Sequence, residues 1–163
     1  MSGEGPGSAP VRIGVVSDTH GELALPVLEA LRGVDAIVHA GDVCAPDVLY
    51  LLGTVAPLTA VRGNCDTAAP LRDLPDVANV VLGRVRFLVA HQAFQLMGTL
   101  SPEDTHARVV VTGHTHVARI EERDGALWVN PGSASAANGA DATIAIVSVA
   151  ADGGVTAEIV AVG

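Results

Sequence analysis

Seven side chains able to ligate a metal sit where successive apolar runs of the sequence end: Asp18 and His20, Asp42, Asn64, His91, His114 and His116. Carboxylate, imidazole and amide oxygen together suit borderline divalent cations. Seven ligands exceed one tetrahedral site. Two adjacent five- or six-coordinate sites sharing a carboxylate would use them all, and centres of that kind hold their ions roughly 3.5–4 Å apart for phosphoryl transfer. Asp42, central among the carboxylates, is the natural bridge. Gly41, Gly63 and Gly113 stand beside these ligands, where a missing Cβ lets the backbone turn tightly and come close to an ion.

Such residues act together only if the elements carrying them end at one place. Val11–Ser17 is a nearly continuous apolar run, as in a strand covered on both faces, and leads into Asp18. Leu23, Val27, Leu28 and Leu31 then recur at helical spacing up to Gly33. The cycle repeats with a strand at Ala36–Ala40, a helix from about Pro46 to Leu52 ending at Gly53, and a strand at Leu58–Arg62. These are βαβ units, so the three strands run parallel and their polar turns share the carboxyl edge of one sheet, where open α/β sheets place ligands. Further on, hairpins are expected around Gly83-Arg84, Arg123-Asp124-Gly125 and Asp152-Gly153-Gly154, the last closing a second sheet. Ser101-Pro102 offers the start of a short helix, and Val109–Val111 a buried strand.

The 163 residues suit one domain, expected over 11–163, preceded by a Gly/Ser/Pro-rich flexible tail over 1–10. With 49% hydrophobic and 17% charged residues the chain is not of the disordered class. Its net charge of -9, with no lysine, argues against nonspecific binding to nucleic acid or an anionic membrane. No apolar run reaches a membrane span, and no secretory leader is recognised, so a cytoplasmic protein with reduced thiols at Cys44 and Cys65 is expected. So apolar a chain also suggests a homodimer.

Asp18-x-His20, Gly41-Asp42, Gly63-Asn64-x-Asp66, His91 and Gly113-His114-x-His116, in this order and rough spacing, resemble the calcineurin-like metallophosphoesterases over nearly the whole chain. The forms GNCD and GHTH followed by NPGS most resemble the small prokaryotic YfcE-like phosphodiesterase branch. The resemblance implies an α/β fold, a four-layer αββα sandwich of two mixed β-sheets flanked by helices. It implies that Asp18, His20, Asp42 and His116 hold one divalent ion and Asp42, Asn64, His91 and His114 a second. Manganese is the expected metal, with nickel, iron, cobalt or zinc as alternatives. It also implies hydrolysis of a small phosphodiester by a metal-bridging hydroxide, with Asp42, Asn64 and His91 acting through the metals. The rival function is a non-catalytic scaffold on the same fold, like the metallophosphoesterase-like subunit of eukaryotic retromer. A third is a single structural metal.

The chain departs from the wider superfamily at two positions. In the wider superfamily the residue after the metal-binding Asn is a His taken to protonate the leaving oxygen, whereas here, as in the YfcE-like branch, it is a cysteine, Cys65. A thiol near two cations tends toward thiolate or ligation and is a poor acid; Asp66 is a candidate orienting group without a proton-transfer role. Gln92 follows His91 where glycine is common, and is expected to point away. His39 and His106 are expected to be structural and Cys44 a small buried residue. Arg62 and Arg119 are expected to be solvated, while Asn130-Pro131-Gly132-Ser133 is either a brace for the ligand turns or a plain turn. With no good acid at position 65, esters with good leaving groups should be preferred. Cys65→His should then speed alkyl phosphodiesters relative to nitrophenyl ones, and an unchanged ratio between the two would remove Cys65 from leaving-group chemistry.

Overall fold

Strand alternation sends side chains to opposite faces, and here both faces are apolar, so each sheet must be covered twice. The computed structural model describes residues 9–96, 101–135 and 141–163. Most of the expected tail, and parts of the expected pocket walls at 97–100 and 136–140, lie outside the described residues. Three strands, β1 (Val11–Val16), β2 (Ala36–His39) and β3 (Leu58–Ala60), pair in parallel, joined by α1 (Leu25–Ala30) and α2 (Pro46–Val55). Ile13 and Val15 of β1 face the interior between the sheets, whereas Val16 packs with Val27 and Leu31 under the helices.

The second sheet contains β4 (Val77–Leu82), β5 (Val85–Ala90), β6 (Val109–Val111), β7 (Arg119–Arg123) and β8 (Ala126–Asn130), in the order β4-β5-β6-β8-β7. Its central strands β5, β6 and β8 are parallel and its edges antiparallel. Phe87, Val89, Val109 and Val111 meet the first sheet, while Leu88, Ala90 and Val110 turn outward onto Leu96 and Ala107. That outer layer is thin, built from the 3-10 turn Ala93–Leu96 and the one-turn helix α3 (Pro102–Thr105). Ser101 caps α3 through Asp104 N–H, and His106 closes it in a left-handed conformation.

Two expectations need correction. The last hairpin, β9 (Thr143–Val149) and β10 (Val155–Ala161), does not close the second sheet. It joins the first, β9 pairing antiparallel with β1 to give β10-β9-β1-β2-β3. The reason is in β9 itself: Ile144 and Ile146 need the helical side while Ala145 and Val147 need the inter-sheet core, a demand met at an interior position. Gly53 does not end α2, which continues to Val55 and is closed by the bond from Ala56 N–H to Leu52 C=O.

The turns after β1 and β2 remain paired beyond the strands. Asp18 N–H donates to Gly41 C=O (3.0 Å), His20 N–H to Asp42 C=O (3.1 Å) and Gly21 N–H to Val43 C=O (2.8 Å). His39 locks this extension from beneath: fully buried, it accepts from Gly41 N–H at Nδ1 (3.1 Å) and donates from Nε2 to Thr19 Oγ1 (3.0 Å). The Thr19 hydroxyl in turn donates a hydrogen bond to Val43 C=O (3.3 Å). The second sheet is stitched to the same turn, with Ser133 Oγ donating to Asp18 C=O (2.8 Å) and Ala134 N–H to Ser17 C=O.

Burial holds the His39 imidazole neutral, lowering its pKa to about 4 even though Asp66 pulls it upward. From pH 6.5 down to about 4 the unfolded chain therefore takes up a proton that the folded chain refuses, and stability falls with pH by about 3 kcal/mol across that window. In chelator-treated protein the urea midpoint should drop between pH 7 and 4.5, and less steeply in His39→Gln; equal slopes would clear His39. Because a Cβ on Gly53 meets nothing within 4 Å, Gly53→Ala should stabilise the protein by about 0.5–1 kcal/mol, read from the same urea curves.

Candidate metal centre

The ligand residues lie on loops whose backbone is held in an uncommon state. Asp18 and His20 have φ of 54° and 49°, and His114 and His116 of 70° and 62°. Positive φ at alternate non-glycine residues costs roughly 1–3 kcal/mol each and persists only where surrounding bonds enforce it. An i, i+2 spacing would put His114 and His116 on one side of an extended segment, but with these backbone angles they do not share a side. Their left-handed turns send them to different neighbours: His116 Nε2 stands 3.3 Å from His20 Nε2, and His114 Nδ1 3.2 Å from Asn64 Oδ1.

Two groups result. Asp18 Oδ1 lies 3.2 Å from His116 Nε2 and 3.7 Å from His20 Nε2. Asn64 Oδ1 lies 2.9 Å from His91 Nε2, which is 3.4 Å from Asp42 Oδ2. All seven expected side chains thus converge. Asp18 Oδ1, 4.0 Å from His91 Nε2, falls within reach of ligand atoms in both groups, and Asp42 stands with His91.

Three of these side chains, His91, Asp18 and Asp42, are aimed by partners behind them. His91 Nδ1 donates to Ala40 C=O (2.8 Å), which leaves the Nε2 lone pair facing the centre. Asp18 Oδ2 accepts from Ser17 Oγ (2.6 Å) and His114 N–H (3.1 Å), and Asp42 Oδ1 accepts from Cys65 N–H (2.9 Å). Asp66, buried, accepts from Gly63, Val43 and Cys44 N–H and so ties the loops bearing Asp42 and Asn64 together. Asn130 settles the NPGS alternatives in favour of the brace. Its Nδ2 donates to Gly113 C=O and Thr115 Oγ1, and its Oδ1 accepts from Gly132 N–H. A Cβ on Gly63 would collide with the Asp42 backbone and carboxylate, and one on Gly113 with Ser17 and Asp18, so both loops close only with glycine there.

The residues fit a cation. Asp18 is fully buried, and its Oδ1 has no hydrogen-bond partner although it faces three imidazole nitrogens. Leaving a buried carboxylate oxygen unpaired is costly unless an ion takes it up. Burial would raise the Asp42 pKa, but the bonds from His91 and Cys65 N–H bring it well below the usual carboxylate value. Burial would likewise lower His91, yet Asp42, the Ala40 carbonyl and Asp18 raise it overall.

Several neighbours differ from expectation. Cys44 is not buried but exposed at the rim, because its own left-handed turn (φ 68°) lifts it toward His20, whose Nδ1 is 3.7 Å from its Sγ. Its thiol pKa is pushed up to about 12, first by partial desolvation and then by Cys65, Asp66 and Asp42; Cys65 is raised by desolvation and Asp42. In the metal-free chain neither thiol therefore tends toward thiolate. Arg62 and Arg119 are solvated as expected, 39% and 69% exposed, while Arg62 also bonds Asp76 and Arg72 C=O and Arg119 pairs with Glu121. Gln92, rather than pointing clear of the site, lines a cleft with Asn64, His91 and Gln95.

Among the described residues no helix is long and apolar enough to cross a membrane. Residues 11–152 match the family described as the calcineurin-like phosphoesterase superfamily domain. A probable metallophosphoesterase of Methanothermobacter thermautotrophicus is 31% identical over 146 residues, spanning 84% of this chain and 85% of that one. Among solved structures, YfcE, a phosphoesterase from E. coli, superposes with a TM-score of 0.63 at 27% identity, covering 94% of this chain and all of its own. Vacuolar Protein Sorting 29 from Cryptosporidium parvum shares the fold, with a TM-score of 0.71 at 21% identity over 93% of this chain and 97% of that one. With the convergent ligand set, the match over nearly the whole chain places this protein in the calcineurin-like phosphoesterase superfamily.

Proposed function

We propose that this protein is a binuclear-metal-dependent phosphodiesterase acting as one domain over residues 11–163. The observation that carries the reading is the buried, unpaired Asp18 Oδ1 facing the imidazoles of His20, His91 and His116. Asp18, His20, Asp42 and His116 would hold one ion and Asp42, Asn64, His91 and His114 the other. Two divalent ions, manganese foremost, would supply charge neutralisation at the phosphoryl oxygens, orientation of the ester and a lowered pKa for the attacking water. The chain itself supplies geometry. The Ala40 carbonyl keeps His91 in the tautomer that offers Nε2, Asn130 fixes the His114–His116 turn, and Asp66 locks the Asp42 and Asn64 loops in register.

Charge supports the same reading. In the cleft beside Asn64, Arg62 is engaged with Asp76, so divalent cations would serve to receive an anionic ester. The relatives named metallophosphoesterase and phosphodiesterase agree with that chemistry. Protein stripped of metal should be inactive toward bis(p-nitrophenyl) phosphate and regain activity with manganese, with the diester preferred over p-nitrophenyl phosphate. Asp42→Ala should lower the restored rate by at least about 100-fold, more than loss of an outer partner of a metal site usually costs. Metal binding without hydrolysis under manganese, nickel, cobalt, iron or zinc would instead support the scaffold reading.

A further inference from the structure

The loop after β2 repeats the backbone pattern of the two ligand-bearing turns. Asp42 and Cys44 have φ of 57° and 68°, the same alternation of left-handed residues seen at Asp18 and His20 and at His114 and His116. In the other turns the second such residue is a histidine of the centre; here it is a cysteine. Cys65, on the loop after β3, faces it, and the Sγ atoms of Cys44 and Cys65 and a ring nitrogen of His20 all lie within 4.8 Å of one another. His20 turns Nε2 to Asp18 and His116 and Nδ1 to Cys44 Sγ, so one imidazole addresses two places.

We infer that Cys44 Sγ, Cys65 Sγ and His20 Nδ1 form a further site, for one soft or borderline divalent cation of the zinc or cadmium class, at the rim of the centre. The inference rests on the proposed hydrolytic centre only for the role of His20 Nε2. Two thiolates and an imidazole select such cations over manganese or magnesium, which favour oxygen. Zinc–sulfur and zinc–nitrogen bonds of about 2.3 and 2.0 Å in a tetrahedron put the donor atoms roughly 3.5–3.8 Å apart, and the Cys44–His20 separation of 3.7 Å has that length. Both cysteines are exposed, which leaves the fourth position to solvent or an incoming ligand. On binding, each thiol gives its proton to water, His20, whose Nε2 belongs to the centre, gives up its Nδ1 proton to water as well and serves as an imidazolate, and neither sulfur changes oxidation state.

The test uses manganese-loaded full-length protein with reductant present, titrated with cadmium and followed by the sulfur-to-cadmium charge-transfer absorption in the ultraviolet. The band should saturate at one equivalent per chain. Cys44→Ser and Cys65→Ser should each weaken cadmium binding on the order of 10–100-fold. Cadmium should also shield both thiols of the unsubstituted protein from alkylation, a readout that needs no variant to fold. Cadmium uptake without the sulfur band would place the ion on oxygen and nitrogen ligands and overturn the inference, as would a band unchanged in Cys44→Ser. If the band behaves as expected while manganese restores no hydrolysis, the phosphodiesterase reading fails and this site stands.

Discussion

Three carboxylates, Asp18, Asp42 and Asp66, are buried within one small volume, and the rest of the molecule is arranged around holding them there. Like charges at such proximity repel strongly in a poorly hydrated environment. Their recorded partners are main-chain N–H groups, the Ser17 hydroxyl and imidazoles rather than arginine side chains. Main-chain dipoles offset part of the charge at fixed positions without bringing a mobile cation of the protein's own into the site. The remaining negative potential, concentrated at Asp18 Oδ1, suits the place to a cation.

This constraint explains why both sheets present their carboxyl edges to one another. β1, β2 and β3 deliver Asp18, Asp42 and Asn64 from one sheet, while β5 and β6 deliver His91 and the His114–His116 turn from the other. A single sheet would place its turns in a row. Two sheets packed on the Phe87, Val89 and Val111 layer fold the row into a ring. The left-handed backbone at Asp18, His20, His114 and His116 then turns alternate side chains inward, and its strain is carried by the bonds that continue the β1–β2 ladder and by the Asn130 brace. Gly63 and Gly113 allow the loops to touch.

Much of this was legible from residue order. Parallel βαβ units put three polar turns on one edge, and the resemblance carried by the ordered motifs implied two sheets covered by helices. The ligand residues announced themselves by type at strand ends. What escaped is what residue type does not encode. Positive φ at Asp, His and Cys carries no glycine signal and is imposed by tertiary bonds, so the His114–His116 turn reads as extended and Cys44 reads as buried. The place of β9 depends on partners far away in sequence, because an apolar hairpin fits the edge of either sheet until both faces of Ile144–Val147 are matched to their neighbours. Asp66 as an orienting group and His39 as a structural residue were legible by type, but not the bonds through which they hold the loops, to main-chain groups and to Thr19.

The same fold carries proteins with different roles, so the sandwich alone does not decide between hydrolase and scaffold. The decision lies in what the site would cost if it were idle. A scaffold gains nothing from an unpaired buried carboxylate, from strained residues at alternate positions or from a buried imidazole, His91, whose far nitrogen is anchored on a main-chain carbonyl. Each could be replaced by apolar or small residues at a gain in stability, as buried charges commonly can. Marginally stable proteins keep such features where function draws on them. Here they occur together, on five loops from two sheets, around one point. The cost is therefore borne at the site where a phosphate ester would meet its metals, and the buttresses behind it, His39 and Asn130 among them, are what let the fold carry that cost.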